Sequence, residues 1–337
     1  MSSYGNYPYQ RLRRNRKSDF IRKLVQEHHL LVTDLVYPVF IVDGKNREES
    51  ISSLPGQKRF SIDQLLKVAN ECSRLGIQGL ALFPMIEGAK NDKFALESYN
   101  PDGLVPRAVN VLKHEFPNLG IFTDIALDAY TPDGHDGVVD EHGYVSNDLT
   151  NEILAKQALC HAQAGADFVC PSDMMDGRVL KIRATLDNNN FVNTGIMAYS
   201  AKYASTLYGP FRDATGAVSR SGSSLGKSGK TTYQMNPANS HEAIHEARLD
   251  LYEGADIIMV KPGLPYLDVV YRIKSEFKKP TAVYHVSGEY AMLKQCGDWL
   301  DYDRAVMEVM LCFKRAGADI IWTYAAIEVA NLLRTGC

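Results

Sequence analysis

The sequence predicts an α/β fold, a (β/α)8 TIM barrel with an extended N-terminal arm. Three observations carry that prediction. Eight short apolar runs recur along the 337 residues, and they are continuous rather than alternating, as parallel strands covered on both faces require. Helical stretches separate most of these runs, and several end in glycine just before the next run. No Pro/Gly-rich linker divides the chain, so one domain follows the arm. A doubly wound open sheet is the alternative arrangement of the same elements.

Residues 1–34 form the arm. It carries Arg11-Leu12-Arg13-Arg14-Asn15-Arg16-Lys17. A basic patch can bind nucleic acid, but a short one at a terminus suits a solvated arm or a subunit contact, and a subunit contact is expected here. Residues 35–337 form the barrel. Its strands are expected at Leu35–Val42, Gly79–Ile86, Gly120–Asp128, Phe168–Ser172, Val192–Ala201, Ile257–Lys261, Thr281–Ser287 and Ile320–Tyr324. The fifth run continues through Ile196-Met197-Ala198-Tyr199-Ser200-Ala201 to Lys202. Helices are expected at Ile62–Leu75, Leu149–Ala164 and Leu264–Phe277, with Gly76, Gly165, Gly254 and Gly317 at helix ends, where a left-handed conformation costs no Cβ clash.

Composition excludes several classes. The balance of 37 basic and 40 acidic residues implies no nucleic-acid or membrane surface overall. No apolar run reaches the roughly 20 residues of a membrane span. Met1 to Arg16 is polar and basic, unlike a secretory signal. The six cysteines form no C-x-x-C pair, and the expected location is cytoplasmic, without disulfides.

In such a barrel the active site lies at the C-terminal ends of the strands. The run Asp256-Ile257-Ile258-Met259-Val260-Lys261 ends in one lysine and stops at Pro262-Gly263. Desolvation there lowers the lysine pKa. An ordinary lysine is neutral in only roughly one molecule per thousand at pH 7.4, and imine chemistry needs the neutral amine. Lys202 ends the preceding strand, so the two lysines should approach each other. A second ammonium nearby adds to the effect of burial. The connection Tyr208–Lys230 carries Arg212, Arg220, Lys227 and Lys230 among many Gly and Ser residues. A loop so long suits a lid, and a cationic lid implies an anionic substrate. Gly226-Lys227-Ser228 lacks the glycine spacing and the preceding strand of a P-loop. His241-Glu242-Ala243-Ile244-His245 matches the helical zinc-protease pattern H-E-x-x-H. It opens an outer helix with an expected buried stripe of Ile244, Ala247 and Leu251, far from the strand ends.

Over Leu35 to Leu333 the chain resembles the porphobilinogen synthase (5-aminolevulinate dehydratase) family. The motifs that carry the resemblance are Met259-Val260-Lys261-Pro262, Met197-Ala198-Tyr199-Ser200-Ala201-Lys202-Tyr203, Tyr208-Gly209-Pro210-Phe211-Arg212-Asp213-Ala214, Tyr233-Gln234-Met235-Asn236-Pro237, Ser172-Asp173-Met174-Met175-Asp176-Gly177-Arg178 and Val286-Ser287-Gly288-Glu289-Tyr290. The resemblance implies condensation of two 5-aminolevulinate molecules to porphobilinogen with loss of two waters, in tetrapyrrole synthesis, by a homo-octamer whose arms embrace neighbouring subunits. It implies Schiff bases on Lys261, for the substrate that becomes the propionate side, and on Lys202 for the other. It further implies that Ser287 and Tyr324 hold the first carboxylate, that Arg212 and Lys230 hold the second, and that Asp124 and Ser172 line the pocket. Ala126, Asp128 and Asp136 stand where many members carry three zinc cysteines. Carboxylates suit magnesium better than zinc. The resemblance is therefore to the magnesium-responsive branch, with an allosteric Mg2+ on Glu246 and no catalytic zinc. Asp128 and Asp136 are further candidate ligands. Glu246 lies about 200° around the helix from Ile244 and is expected to face away from the buried stripe. A class I aldolase and a non-catalytic binding protein are the rival readings.

Overall fold

The computed structural model describes residues 5, 7–87, 92–216, 229–297 and 299–335. Eight parallel strands close into a barrel: β1 (Leu35–Val42), β4 (Gly79–Met85), β5 (Gly120–Ile125), β6 (Phe168–Pro171), β7 (Gly195–Lys202), β8 (Ile257–Lys261), β9 (Thr281–His285) and β10 (Ile320–Thr323), with β10 pairing back to β1. The open-sheet alternative is thereby excluded. A short antiparallel pair, β2 (Glu48–Ser50) and β3 (Lys58–Phe60), extends from the C-terminal end of β1. Three-residue strands of mostly charged residues carry no apolar run, so this pair has no signal in the sequence.

Strand ends moved where turn chemistry overrides apolar content. β5 stops at Ile125 rather than Asp128, since the chain turns through 127–131 on hydrogen bonds to the Leu127 carbonyl. β7 begins at Gly195 rather than Val192, which is 62% exposed. β9 ends at His285, and Ser287 opens the helix Ser287–Gln295. Leu264–Tyr266 is a 3-10 turn ahead of the helix Leu267–Phe277. The expected glycine helix ends hold: Gly76, Gly165, Gly254 and Gly317 all have φ between 85° and 109°.

The bottom of the barrel is packed by rings over glycines. Phe122 and Phe168 stack with centroids 5.1 Å apart. Gly79 pairs with Gly120, and Gly195 pairs with Phe168. A Cβ on Gly79 would lie 2.6 Å from the Phe122 ring and 2.9 Å from the Gly120 carbonyl. Above this layer Trp322, Tyr199, Tyr284 and Phe83 fill the interior, leaving the strand C-termini to carry polar groups.

The arm packs differently. Of its described residues only Leu30 is fully buried, while Tyr7, Tyr9, Leu12, Phe20 and Leu24 are each at least 64% exposed. Two helical turns, Leu12–Arg16 and Asp19–Leu24, lie within it. No helix is long and apolar enough to cross a membrane among the described residues.

Candidate active site

Lys202 and Lys261 are direct neighbours in the β7–β8 register. A β-bulge brings them together. Met197 pairs with Ile257 and Ala198 with Ile258, but Ala201 pairs with Val260 and Lys202 with Lys261. One extra residue in β7 has shifted the register. Tyr199 faces the interior, where its ring lies 5.0 Å from the Lys261 amine. Strict alternation would send Lys202, three residues on, to the opposite face. The bulge re-aims it inward. Arg178, 2% exposed, braces the bulge: its Nη2 donates to the Tyr199 carbonyl at 3.2 Å, and both Nη atoms pair with Asp250 at 2.8 and 3.2 Å.

Both lysines are 5% exposed. Burial first, and then the Lys202 ammonium, bring the Lys261 amine down to about 7. Asp124, Asp136 and Asp128 oppose the shift. The rings of Tyr199, Tyr208, Phe211 and Tyr284 surround its nitrogen at 4.6 to 5.2 Å. These rings favour the ammonium, so the lowered value reflects desolvation and the second lysine prevailing over them. The sequence reading did not name this cage, although alternation from Lys261's neighbours could have found Tyr199 and Tyr284.

Lys202 donates to the Ser172 carbonyl and lies 3.3 Å from Asp136. Asp136 also pairs with Lys230 at 3.0 Å and accepts from Gln234 at 3.2 Å. Lys230 lies 3.8 Å from Asp128. Burial works against ionising Asp136, yet Lys202 and Lys230 hold its carboxyl well below the usual carboxylate range. The loop after β5 thus has its carboxylates matched by ammonium groups. That arrangement fits a lysine and leaves Asp128 and Asp136 a poor set for a metal ion. Among the described residues no three His, Cys, Asp or Glu side chains converge as a metal cage.

Asp124, on β5, is pushed up to about 7 by burial and by Asp128, against Lys261, Lys202 and a hydrogen bond from Ser172. A carboxyl and an amine that both titrate near neutrality are suited to exchange protons with a substrate. Tyr324 shares a hydrogen bond with Tyr284 at 2.8 Å. Ser287 donates to the Leu207 carbonyl at 3.1 Å and accepts from the Phe211 amide at 3.0 Å. It therefore pins the start of the helix Gly209–Ala214, which carries Arg212. Of the expected lid, Arg220, Lys227 and the rest of 217–228 lie outside the described residues.

Glu246 does not face away from the buried stripe. Ala243, Ala247 and Asp250 are the buried residues of the helix His241–Glu253, and Ile244 and Leu251 of the expected stripe are partly buried against the core. Glu246 lies one turn from Ala243 and Asp250, so it is half-buried against Arg178. The helix docks through Asp250's ion pair with Arg178, which a purely apolar count of the sequence overlooks. Burial, with Asp250, Asp176 and Glu242 nearby, pushes the Glu246 carboxyl up to about 7. His241 and His245 are exposed, and among the described residues they join no group that could hold a metal ion, which removes the protease reading.

The delta-aminolevulinic acid dehydratase sequence profile matches residues 9–332. The chain belongs to the delta-aminolevulinic acid dehydratase family. It is accordingly an enzyme of the lyase class. A relative of that name from Bradyrhizobium diazoefficiens is 49% identical over 327 residues, covering 96% of this chain and 91% of its own. The chloroplastic delta-aminolevulinic acid dehydratase of Glycine max is 47% identical over 328 residues, covering 96% of this chain and 78% of its own. A solved structure of delta-aminolevulinic acid dehydratase (porphobilinogen synthase) from Toxoplasma gondii, in complex with the reaction product porphobilinogen, superposes with a TM-score of 0.92 at 50% identity. It covers 96% of this chain and 91% of that one.

Proposed function

We propose that the chain condenses two molecules of 5-aminolevulinate to porphobilinogen with loss of two waters, in tetrapyrrole synthesis, through Schiff bases on Lys261 and Lys202. The observation that carries this is the Lys202–Lys261 register pair, with Lys261 brought near neutrality. About half of a group titrating near 7 is the neutral nucleophile at pH 7. Each substrate ketone is drawn into an imine, and the two ketone oxygens leave as the two waters. Asp124 would exchange protons with the substrate, a role supported by burial bringing its carboxyl up to about 7. Arg212 and Lys230 supply the charge for one substrate carboxylate, and Tyr324 and Ser287 the hydroxyls for the other. A carboxylate at Ser287 competes with the Leu207 carbonyl for its proton.

Supplying 5-aminolevulinate should give a pyrrole product, and borohydride should fix the substrate's mass to Lys261. Lys261→Ala should lower turnover by at least ~10³-fold. No pyrrole, or an unmodified Lys261 peptide in reduced and inactivated enzyme, would sink the reading. A class I aldolase would accept an aldehyde and give no pyrrole.

Three further points belong to the same reading. The first is that Mg2+ acts as an allosteric ion on Glu246. A half-buried carboxylate with Asp176 and Glu242 nearby suits a hard cation that keeps most of its waters and asks for one or two carboxylates. The second is assembly as a homo-octamer, supported by an arm whose Tyr7, Tyr9, Leu12, Phe20 and Leu24 stay exposed among the described residues. The third is a cytoplasmic location, which suits the free thiols of Cys72, Cys160, Cys170, Cys296 and Cys312.

A further inference from the structure

Glu289 is 2% exposed, and its carboxylate faces backbone amides, with no cation paired to it among the described residues. Oε2 accepts the Gly263 amide at 3.2 Å and the Val286 amide at 2.7 Å, and Oε1 accepts the Leu264 amide at 2.6 Å. Gly263 and Leu264 make the turn that follows Lys261 and Pro262. Val286 is the residue before Ser287. One carboxylate therefore ties the end of β8 to the end of β9. The tie continues, because Ser287 holds the Leu207 carbonyl and the Phe211 amide at the start of the Arg212 helix. The surroundings leave little slack: a Cβ on Gly263 would sit 2.7 Å from the Phe313 ring, and one on Gly288 would sit 2.6 Å from the Leu207 carbonyl.

We infer that Glu289 is a positioning residue, which sets the Lys261 amine at a fixed distance from Ser287 and from the helix that carries Arg212. The inference rests on the reading of Lys261 as the Schiff-base lysine. The carboxylate acts through geometry. The groups that shift Lys261 most are Lys202, Asp124, Asp136 and Asp128, with burial, and Glu289 is not among these largest influences. Burial costs the unpaired carboxylate much, raising it to about 7 against its three amide donors. A leucine here would avoid that cost, so the tie itself is what the carboxylate contributes. A misplacement near 1 Å at a reacting centre costs ~10²-fold in rate.

The test uses the full-length enzyme with 5-aminolevulinate and borohydride, reading the rate at which Lys261 gains substrate mass at saturating substrate. Glu289→Gln keeps the side chain's size but turns one oxygen into an amide nitrogen that cannot accept. Val286→Pro removes one donor at a residue whose φ of −74° proline adopts. Both variants should slow adduct formation, Glu289→Gln by ~10²-fold and Val286→Pro by ~10-fold, with the pH midpoint of the reaction unchanged. Glu328→Gln, in the separate Lys294–Glu328 pair, should lower melting temperature without changing that rate. A folded Glu289→Gln enzyme that forms the adduct at the wild-type rate overturns the inference. So does a shifted pH midpoint, which would make Glu289 a charge partner of Lys261. If Glu289→Gln does not fold, Val286→Pro decides by the same rate. No adduct in the wild type overturns the reading of Lys261 instead, and this inference with it.

Discussion

At the scale of single residues, the site is a balance of charges removed from water. Lys261 has lost solvation, and its nearest opposite charges do not fully restore the ammonium. Imine formation at Lys261 should therefore rise with pH through about 7 and level off above it, since the neutral amine attacks and the ammonium cannot. A midpoint near the ordinary lysine value, measured by borohydride trapping across pH, would contradict the burial account. The Lys230 ammonium sits against Asp136 and Asp128. Lys230→Met should destabilise the enzyme by ~3–5 kcal/mol, as losing one partner of a buried pair does, and the urea midpoint reads it. Asp136 is held below its ordinary value, so its stabilising contribution is present above the unfolded carboxylate pKa. It is lost as pH falls through the lower folded value. In Lys230→Met the folded value moves back towards the unfolded one, so that loss should be smaller and complete at a higher pH.

At the scale of elements, the barrel decides which side chains meet. The bulge between Ala198 and Ala201 turns Lys202 inward, and Arg178 fixes it from the outer layer through the Tyr199 carbonyl and Asp250. At the opposite end of the barrel, the rings of Phe122 and Phe168 need glycine on the neighbouring strands. Gly79→Ala should cost roughly 1–3 kcal/mol, because its Cβ meets the Gly120 backbone, which cannot rotate away. Such a variant should unfold at lower urea yet keep the Lys261 adduct at temperatures where it stays folded. Loss of the adduct without loss of stability would mean that the glycine layer shapes the site itself.

At the scale of the whole molecule, the arm and the outer helices carry surface that the single chain does not use. Deleting residues 1–20 removes Tyr7, Tyr9, Leu12 and Phe20, all well exposed in the single chain. The particle measured by sedimentation should become smaller, and an unchanged mass would count against the arm as a subunit contact. Stripping metal with a chelator and titrating ions back tests Glu246. Magnesium should stimulate, zinc should be dispensable, and Glu246→Ala should keep basal turnover while losing the stimulation. Full stimulation of that variant, or stoichiometric zinc in active enzyme, would reject the assignment. The stimulation would have to reach the lysines through a change in population between two states. Arg178 is a physical link, since it touches both the Glu246 helix and the Tyr199 carbonyl.

Read alone, the sequence determined the barrel, the order of its eight strands and the two strand-end lysines. It could do so because apolar runs, glycine helix ends and a lysine closing a buried run are local signals, set by neighbours along the chain. Tertiary structure alone decided how those pieces face one another. The bulge that aligns Lys202 with Lys261 is a one-residue offset between strands 59 positions apart, visible only in their pairing. The pairing of Asp136 with Lys202 and Lys230 joins three distant segments, so those aspartates read locally as metal ligands rather than as ammonium partners. Glu246 is half-buried rather than turned away, because the Asp250–Arg178 ion pair widens the docked face beyond the apolar residues. Glu289 looked like one more residue of a motif. Its three donors come from two strand ends that only the closed barrel brings together.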